Sequence, residues 1–522
     1  MSISSRSHET KDLDLEEKGG FPVEADAPIE VASHDDGIKR EGSTGIIGWL
    51  WKVSKKLDSY GVEVRGVERV PEDERHHANY FDSGTLWLSA NMTIATFSLG
   101  TLGTSVFDLK ATDSCLVILF FNLLCTIPVA IFSCWGKATG LRQMMLGRFS
   151  FGPYAIWFPI VLNALACIGW STINTIVGAS ALKAVSDTHE LPEPAGIVII
   201  SLITLVIALF GYRYVHALER YASIPVFVIF MIILGEGGRY MNGGYGDLGE
   251  GEVSSILSFG GTIAGFAFGW TSLAADYTVN LPETTPSWKV FACTYAGLNF
   301  PLIFVECLGA LMMSTLENKP TWAARYDSGG LGGLLRAGLS PLGGFGQFLL
   351  VVLALSIVTN NIPNVYSFAL TVQSFHKSIQ RIPRFALCIL CTIIYIVLAE
   401  AGYNSFEDAF DALLVILSYW LAVYSCILIE EHWIFRKGSF ANYNLDRYNL
   451  NSNLPAGWAA AFATCCGAAG ATIGMSQQWY VGPLGKKLPG PFGGDIGFEL
   501  AFAFTAISYP VARYFERRRY GR

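Results

Sequence analysis

The sequence predicts an all-α polytopic membrane protein with about twelve transmembrane helices. Apolar residues make up 52% of its 522 residues and charged residues only 15%, whereas about a quarter of a soluble domain is charged. Stretches almost free of charge recur from residue 84 to residue 512. Each is close to the roughly 20 residues that a helix needs to cross a bilayer. This composition is therefore expected of a protein that lies in a lipid bilayer.

Twelve such stretches, numbered here as spans one to twelve, organise the chain. Spans one and six resemble each other and stand five apart, which predicts two five-helix inverted repeats, at about 84–238 and 255–430, followed by extra helices at 456–513. The predicted transporter domain is thus 84–513. The spans lie at 84–107, 114–135, 154–182, 195–212, 221–238, 255–275, 289–314, 343–374, 385–400, 408–430, 456–476 and 495–513.

The segments outside the spans are polar. Residues 1–45 hold eleven acidic and five basic residues, a net of −6, and we expect a disordered cytoplasmic tail. Residues 46–83 read as a cytoplasmic juxtamembrane segment and 514–522 as a basic cytoplasmic tail. With both termini in the cytoplasm, the inner loops and tail carry seventeen Lys and Arg and the outer loops eight, as the positive-inside rule requires.

Clustered glycines and polar residues mark spans one and six as candidates for broken helices. Span one reads SANMTIATFSLGTLG from Ser89, and span six reads SFGGTIAGFAFGWTSLAADYT from Ser258. Irregular backbone at membrane depth persists only where it lines a cavity, which favours a ligand path. The alternative is that the glycines only let helices pack closely.

Aromatic and amide side chains in spans three and six suit a flat ligand. Trp170 and Asn174 are four residues apart and so share a helix face. An indole stacks on a heterocycle while an amide bonds its edge, and Trp270 offers a second indole for a sandwich. A packed Trp and an Asn joining two helices would give the same pattern.

Three amides surround a proline in span eight. Asn360, Asn361 and Asn364 flank Pro363 within an apolar segment, where unpaired amides are costly. Pro363 also deprives the carbonyl of Thr359 of its helical hydrogen bond. Amides donate and accept without charge, which suits a neutral nucleobase. A structural kink explains Pro363 but not the three amides.

Carboxylates at membrane depth are functional candidates by default. Glu219 lies between spans four and five, Asp276 at the end of span six and Glu306 within span seven. We expect roles in gating or proton coupling, with structural pairing as the alternative for Glu219 and Asp276.

Enzymatic and metal-binding functions are not favoured. The eleven cysteines lie mostly in apolar runs, and none stands at zinc spacing from a histidine. The histidines lie in or near loops or in the tail, so no nucleophile–base pair falls within a span. We therefore expect that the protein is not an enzyme, that it uses no metal or other cofactor, and that it does not bind nucleic acid. The expected partners are membrane lipids and a small-molecule substrate.

Several segments resemble the fungal purine–cytosine permeases of the nucleobase–cation-symport-1 family. They include GVERVPEDE, SANMTIATFSLG, GLRQMMLGRFS, ACIGWSTINT, FGWTSLAADYT, ALSIVTNNIPNVYS and GGDIGFEL. The resemblance runs from about residue 60 to the C-terminus. It implies a LeuT-like five-plus-five fold and uptake of cytosine, adenine, guanine or hypoxanthine across the plasma membrane, driven by protons.

The resemblance also implies which residues contact substrate. The matching positions are Thr96, Trp170, Asn174, Trp270, Asn360, Asn361, Pro363 and Asn364. Position 96 resembles a serine in relatives, and the added methyl of threonine would tighten the cavity. Some bacterial relatives use sodium through a pair of hydroxyls in span eight. Here Val358 precedes Thr359, which makes Na+ less favoured than H+.

Two alternatives remain from the sequence. A transporter of the same family could carry uracil, allantoin, thiamine or pyridoxine instead. A nucleobase receptor or channel is less favoured, because broken helices suit transport better.

Overall fold

The computed structural model describes residues 45–59, 65–75, 79–186, 188, 191–210, 221–244, 249–490 and 493–522. The predicted acidic tail, apart from Gly45, and the candidate Glu219 lie outside these residues.

Helices dominate the described chain. In its first half they are α1 Gly45–Asp58, α2 Phe81–Asn91, α3 Ile94–Ser105, α4 Ala111–Cys125, α5 Ile127–Thr139, α6 Gln143–Ala155, α7 Trp157–Lys183, α8 Glu193–Phe210 and α9 Ser223–Gly237. In the second half they are α10 Glu252–Gly269, α11 Ser287–Asn318, α12 Pro320–Leu339, α13 Gly343–Gln373, α14 Arg384–Gly402, α15 Phe406–Glu430, α16 Trp458–Gly474 and α17 Gly497–Tyr520. A small antiparallel hairpin, β1 Ser476–Gln477 and β2 Tyr480–Val481, pairs Ser476 with Val481.

Within the described residues, each predicted span coincides largely with helix, and the mostly helical, multi-pass architecture is confirmed. Eight helical segments of the described chain are long and apolar enough to cross a bilayer, and 223–237 and 458–474 are shorter apolar helices. The count of twelve crossings stays a prediction.

Spans one and six both depart from α-helix. Span one breaks between α2 and α3, where Met92 has φ −82° and ψ 66° and Thr93 is extended at φ −141° and ψ 165°. Span six passes from α10 into 3-10 turns at 270–272 and 274–277, with Leu273 at φ −141° and ψ 4°. Both breaks free backbone groups at membrane depth.

Gly100 and Gly265 in these spans are packing residues rather than the breakpoints. Gly100 lies within α3, where a side chain would overlap the carbonyl of Glu306 on α11. Gly265 lies within α10 and touches the backbone of Leu414 on α15 in the same way. Close packing of helices through small residues explains both. The glycine clusters therefore lie in the two spans that are broken, but Gly100 and Gly265 contribute helix packing and not the breaks themselves.

A buried ion cluster fastens α17 to the end of α15. The Glu431 carboxylate accepts from Arg513 Nε at 2.8 Å and Nη2 at 2.9 Å, and from Tyr509 at 2.9 Å. Arg513 also donates to Glu516, whose carboxylate accepts from the Ala459 N–H at 2.7 Å. Glu516 thus satisfies a backbone donor in the first turn of α16. One network therefore holds spans ten, eleven and twelve together.

Removing one partner of this cluster leaves an uncompensated buried charge. We expect Arg513→Met to lower the free energy of unfolding by about 3–5 kcal/mol, measured as a lower melting temperature of detergent-solubilised protein. Arg518→Met, on an exposed position of the same helix, is the control and should melt like the wild type. Equal melting of all three proteins would contradict a stabilising role for the cluster.

Candidate functional site

Span eight satisfies the backbone that the break in span one exposes. The Thr359 hydroxyl donates to the carbonyl of Ser89 at 3.0 Å, and Asn360 Nδ2 donates to the carbonyl of Ala90 at 2.5 Å. Both carbonyls belong to the last turn of α2, which has no further helical turn to bond them. The polar run of span eight is therefore fixed against the interrupted helix.

The amides of spans three and eight form a continuous row. Asn174 Nδ2 donates to Asn360 Oδ1 at 2.7 Å, and Asn364 Nδ2 donates to the carbonyl of Asn360 at 3.0 Å. Asn360 and Asn364 are four residues apart and share one face of α13. The Asn174 Oδ1 atom is buried and has no hydrogen-bond partner among the described residues, so an acceptor remains for a ligand.

Two indoles and the amides of Asn360 and Asn364 enclose a small cavity. Its volume is about 10 Å³, which is room for one water molecule. A ring-sized ligand therefore enters only when the surrounding helices separate. The lining residues are Trp170, Phe266, Gly269, Trp270, Asn360 and Asn364.

Neighbouring side chains fix the orientation of each indole. Trp170 meets Phe266 edge to face, with ring centroids 5.0 Å apart and planes at 88°. Trp270 Nε1 donates to Asn91 Oδ1 at 3.1 Å, and its ring packs on Trp87 at 5.2 Å. Edge-to-face packing and a bonded indole N–H hold aromatic rings in defined positions.

Four predicted residues do not line this cavity. Asn174 lies behind Asn360, to which it donates a hydrogen bond. Thr96 is fully buried in the first turn of α3, 3.5 Å from the Thr93 hydroxyl. Asn361 is fully buried on the side of α13 that faces Tyr395. Pro363 contributes its carbonyl, which accepts from the Tyr277 hydroxyl at 3.2 Å.

Sequence reasoning missed three residues that shape the site. Phe266 lines the cavity, Asn91 positions Trp270 and Tyr277 contacts span eight. Asn91 stood in the polar run of span one, but its bond to Trp270 depends on where the break turns the chain. Only the fold shows such a contact.

Asp276 joins span six to two other segments. Its Oδ1 accepts from the Gln143 N–H at 2.7 Å, and its Oδ2 accepts from the Ser367 hydroxyl at 3.4 Å. Arg142 Nη1 donates to its backbone carbonyl at 2.6 Å. A buried, charge-assisted network of this kind fixes the relative positions of the segments it joins.

Glu306 has a partner of a different kind. It is fully buried in α11, and its Oε2 accepts from Asn122 Nδ2 at 2.6 Å. Its Oε1 has no hydrogen-bond partner, and no Lys or Arg pairs with it, in the described part of the chain. An ionisable residue at membrane depth is a candidate for a functional role.

Metal ligands do not cluster in the described part of the chain. No group of three His, Cys, Asp or Glu side chains there could bind a metal ion.

Sequence comparison places this chain in a known family. A family described as "permease for cytosine/purines, uracil, thiamine, allantoin" matches residues 69–490. The purine-cytosine permease fcyB of Emericella nidulans is 46% identical over 513 residues, which cover 96% of this chain and 99% of that protein. The purine-cytosine permease FCY2 of Saccharomyces cerevisiae is 38% identical over 508 residues, covering 96% and 94%.

Structural comparison agrees on the fold. The nucleobase-cation-symport-1 family transporter Mhp1, in a closed conformation with bromovinylhydantoin bound, superposes with a TM-score of 0.64 at 17% identity. The match covers 88% of this chain and 95% of that one. This match confirms the predicted LeuT-like fold. The family model and the permease relatives confirm the predicted resemblance and the prediction of a transporter rather than an enzyme. The chain belongs to the multi-pass membrane permeases for cytosine, purines, uracil, thiamine and allantoin.

Proposed function

We propose that the protein carries cytosine and purines (adenine, guanine and hypoxanthine) across the plasma membrane together with protons, by alternating access. The observation that carries this proposal is the cavity of two indoles and two amides with no charged side chain in its lining. Its relatives' names and its family point to the same class of ligand. Both termini would lie in the cytoplasm, and the lipid bilayer would surround the spans.

Each lining group has a role in holding a flat neutral ring. Trp170 and Trp270 would stack on the base, an interaction that contributes about 1–3 kcal/mol per base in other proteins. Asn174, Asn360 and Asn364 would bond its edge, because amides offer both donors and acceptors. Thr96, Asn361 and Pro363 would support these groups from behind.

The Asp276 network suits an inner gate. It ties span six to the segment at 142–143, which the positive-inside rule assigns to the cytoplasm, and to Ser367 of span eight. Release of the base to the inside would require these bonds to break. Proton binding elsewhere in the bundle would shift the population of the opened state.

Proton rather than sodium coupling is supported by the contact at Thr359. Its hydroxyl lies 3.0 Å from the Ser89 carbonyl and 2.7 Å from the Ser356 carbonyl, and the side chain of Val358 beside it has no oxygen to offer a cation. Sodium sites in transporters of this type use unwound carbonyls, and the missing second hydroxyl at position 358 leaves such a site with one ligand fewer. Among the carboxyl groups, Glu306 is the better proton carrier because no cation in the described chain pairs with it.

Uptake tests the function directly. In yeast cells that lack their own nucleobase permeases, we expect the protein to accumulate labelled cytosine and adenine against a gradient, and a protonophore to abolish the accumulation. Unlabelled uracil, allantoin, thiamine and pyridoxine are the competitors. Strong competition by one of these with no base uptake, at normal surface abundance, would assign the alternative substrate, and equilibration without accumulation would indicate a channel.

The two faces of α13 predict different variant effects. Asn364→Leu removes an amide that lines the cavity, and we expect the KM for cytosine to rise about tenfold, as the loss of one or two hydrogen bonds implies. Asn361→Leu, the matched variant facing Tyr395, should change the KM less than threefold or so. Uptake kinetics at equal surface abundance measure both. Equal increases in KM would contradict this placement of the two amides.

Two isosteric variants separate coupling from gating. Because Glu306→Gln cannot carry a proton, we expect its net uptake to lose its dependence on external pH while exchange of labelled for unlabelled base continues. Asp276→Asn weakens the inner network instead, so its uptake should fall at every pH and keep the wild-type pH profile. A wild-type pH profile in Glu306→Gln would exclude Glu306 as the proton carrier.

A further inference from the structure

An apolar groove lies between spans eleven and twelve on the surface of the bundle. Its volume is about 440 Å³. The short side chains of Ser508 and Ala512 leave this space, and the large apolar side chains beside it are 40–73% exposed. The groove is therefore open to the surroundings of the protein. The lining residues are Trp458, Phe462, Ile507, Ser508, Val511, Ala512 and Phe515.

The groove occupies the cytoplasmic end of both helices. Trp458 is the first residue of α16, and Phe515 lies near the end of α17, where the positive-inside rule predicts the cytoplasm. From Ile507 to Phe515 the groove follows α17 for about 12 Å at 1.5 Å per residue, which is close to the roughly 15 Å depth of one leaflet's hydrocarbon. Trp458 then lies at the interface, where indoles are enriched. The length and depth fit an acyl chain of the inner leaflet.

Small residues close the groove toward the outer side. A side chain on Gly470 would overlap the carbonyl of Leu500, and one on Gly467 would overlap the hydroxyl of Thr505. Helices that approach so closely through glycines leave no room between them. The groove is thus confined to the cytoplasmic half of the two helices, and an occupant comes from that leaflet.

Two arginines stand at the mouth of the groove. Arg518 and Arg519 follow Phe515 by three and four residues, so they continue its face of α17 by one turn. Both are exposed, and neither guanidinium has a hydrogen bond or an ion pair with the residues that the structure describes. Arg517 instead donates to the carbonyl of Phe435 at 3.2 Å. Free positive charge therefore begins where the apolar lining ends.

We infer that the groove binds one anionic phospholipid of the cytoplasmic leaflet, with an acyl chain along the apolar lining and the head group against Arg518 and Arg519. Anionic lipids are concentrated in that leaflet, and basic pockets between spans on its side bind their head groups. Guanidinium groups bond phosphate through paired donors. Glu516 does not neutralise the site, because its carboxylate accepts from Arg513 at 3.0 Å. The inference does not depend on which solute the protein carries.

Charge also favours a lipid over a second copy of the chain as the occupant. In a two-fold dimer the same surface of both copies meets, which would bring Arg518 and Arg519 of the two copies near one another. Like charges across an interface are unfavourable, whereas a lipid phosphate is attracted to both arginines.

Native mass spectrometry of the full chain in neutral detergent counts bound lipids and copies of the chain together. Phosphatidylserine and phosphatidylcholine with identical acyl chains are titrated separately, as is glycerophosphoserine, which has no acyl chains. We expect the wild type to bind one phosphatidylserine at least tenfold more tightly than either of the other two, because only this lipid offers both a net negative head group and a chain.

Variants locate the site. Arg518→Gln/Arg519→Gln should bind phosphatidylserine about 30-fold more weakly, or roughly fivefold for each arginine. Lys437→Gln/Arg447→Gln removes two other exposed charges from the predicted cytoplasmic side and should bind it like the wild type. Ser508→Phe fills the groove and should bind it more weakly at an unchanged melting temperature.

The other results overturn the inference. Equal affinity of the wild type for the two phospholipids would make the groove an ordinary lipid-facing surface, and equal losses in the two double variants would reduce the effect to net charge. Binding of glycerophosphoserine as tightly as phosphatidylserine would remove the groove from the site. A lipid-free dimer that Ser508→Phe converts to monomer would assign the groove to a second copy of the chain.

Discussion

The need to satisfy backbone polar groups away from water governs this structure. The break at Met92 and Thr93 leaves helix-end carbonyls at membrane depth, where an unpaired group costs several kcal/mol. Thr359 and Asn360 of span eight bond the carbonyls of Ser89 and Ala90. The same polar run presents Asn360 and Asn364 to the cavity. The groups that allow the helix to break are thus also the groups that shape the candidate site.

That arrangement makes span one a mechanical link between the site and a distant carboxyl group. On one side its α2 half is bonded to span eight. On the other side Gly100 of α3 rests on the backbone of Glu306, and small residues let such surfaces slide or separate without large clashes. A movement of α3 that opened the cavity would also change the surroundings of Glu306. Under the proposed function, base binding and protonation of Glu306 would be coupled if both events shifted the same two-state equilibrium in the position of α3.

The sequence predicted correctly the features that depend on local composition, namely the positions of the helices and of the polar segments within them. Apolar length located every helix of the predicted spans, and the polar runs marked spans one, six and eight. It did not suffice where helix rotation decides the outcome. Asn360 and Asn361 are neighbours in sequence, yet only Asn360 lines the cavity. From the sequence, the glycines in spans one and six were equally consistent with helix breaks and with close helix contacts. The pairing of Glu306 with Asn122 could not be predicted, because the two residues are 184 positions apart in the chain.

The uncharged amides of the inner cavity determine how selective the candidate site can be. An amide can turn either its oxygen or its nitrogen toward a ligand, so under the proposed function the amides of Asn360 and Asn364, with Asn174 beside them, would fit bases with opposite donor and acceptor patterns. A site built only from such groups would discriminate weakly among cytosine and purines. Strong discrimination requires a group that rejects the wrong pattern. Among the described residues, no charged side chain, with its fixed pattern of donors or acceptors, lines the inner cavity, so a broad range of bases is the expected consequence of this lining.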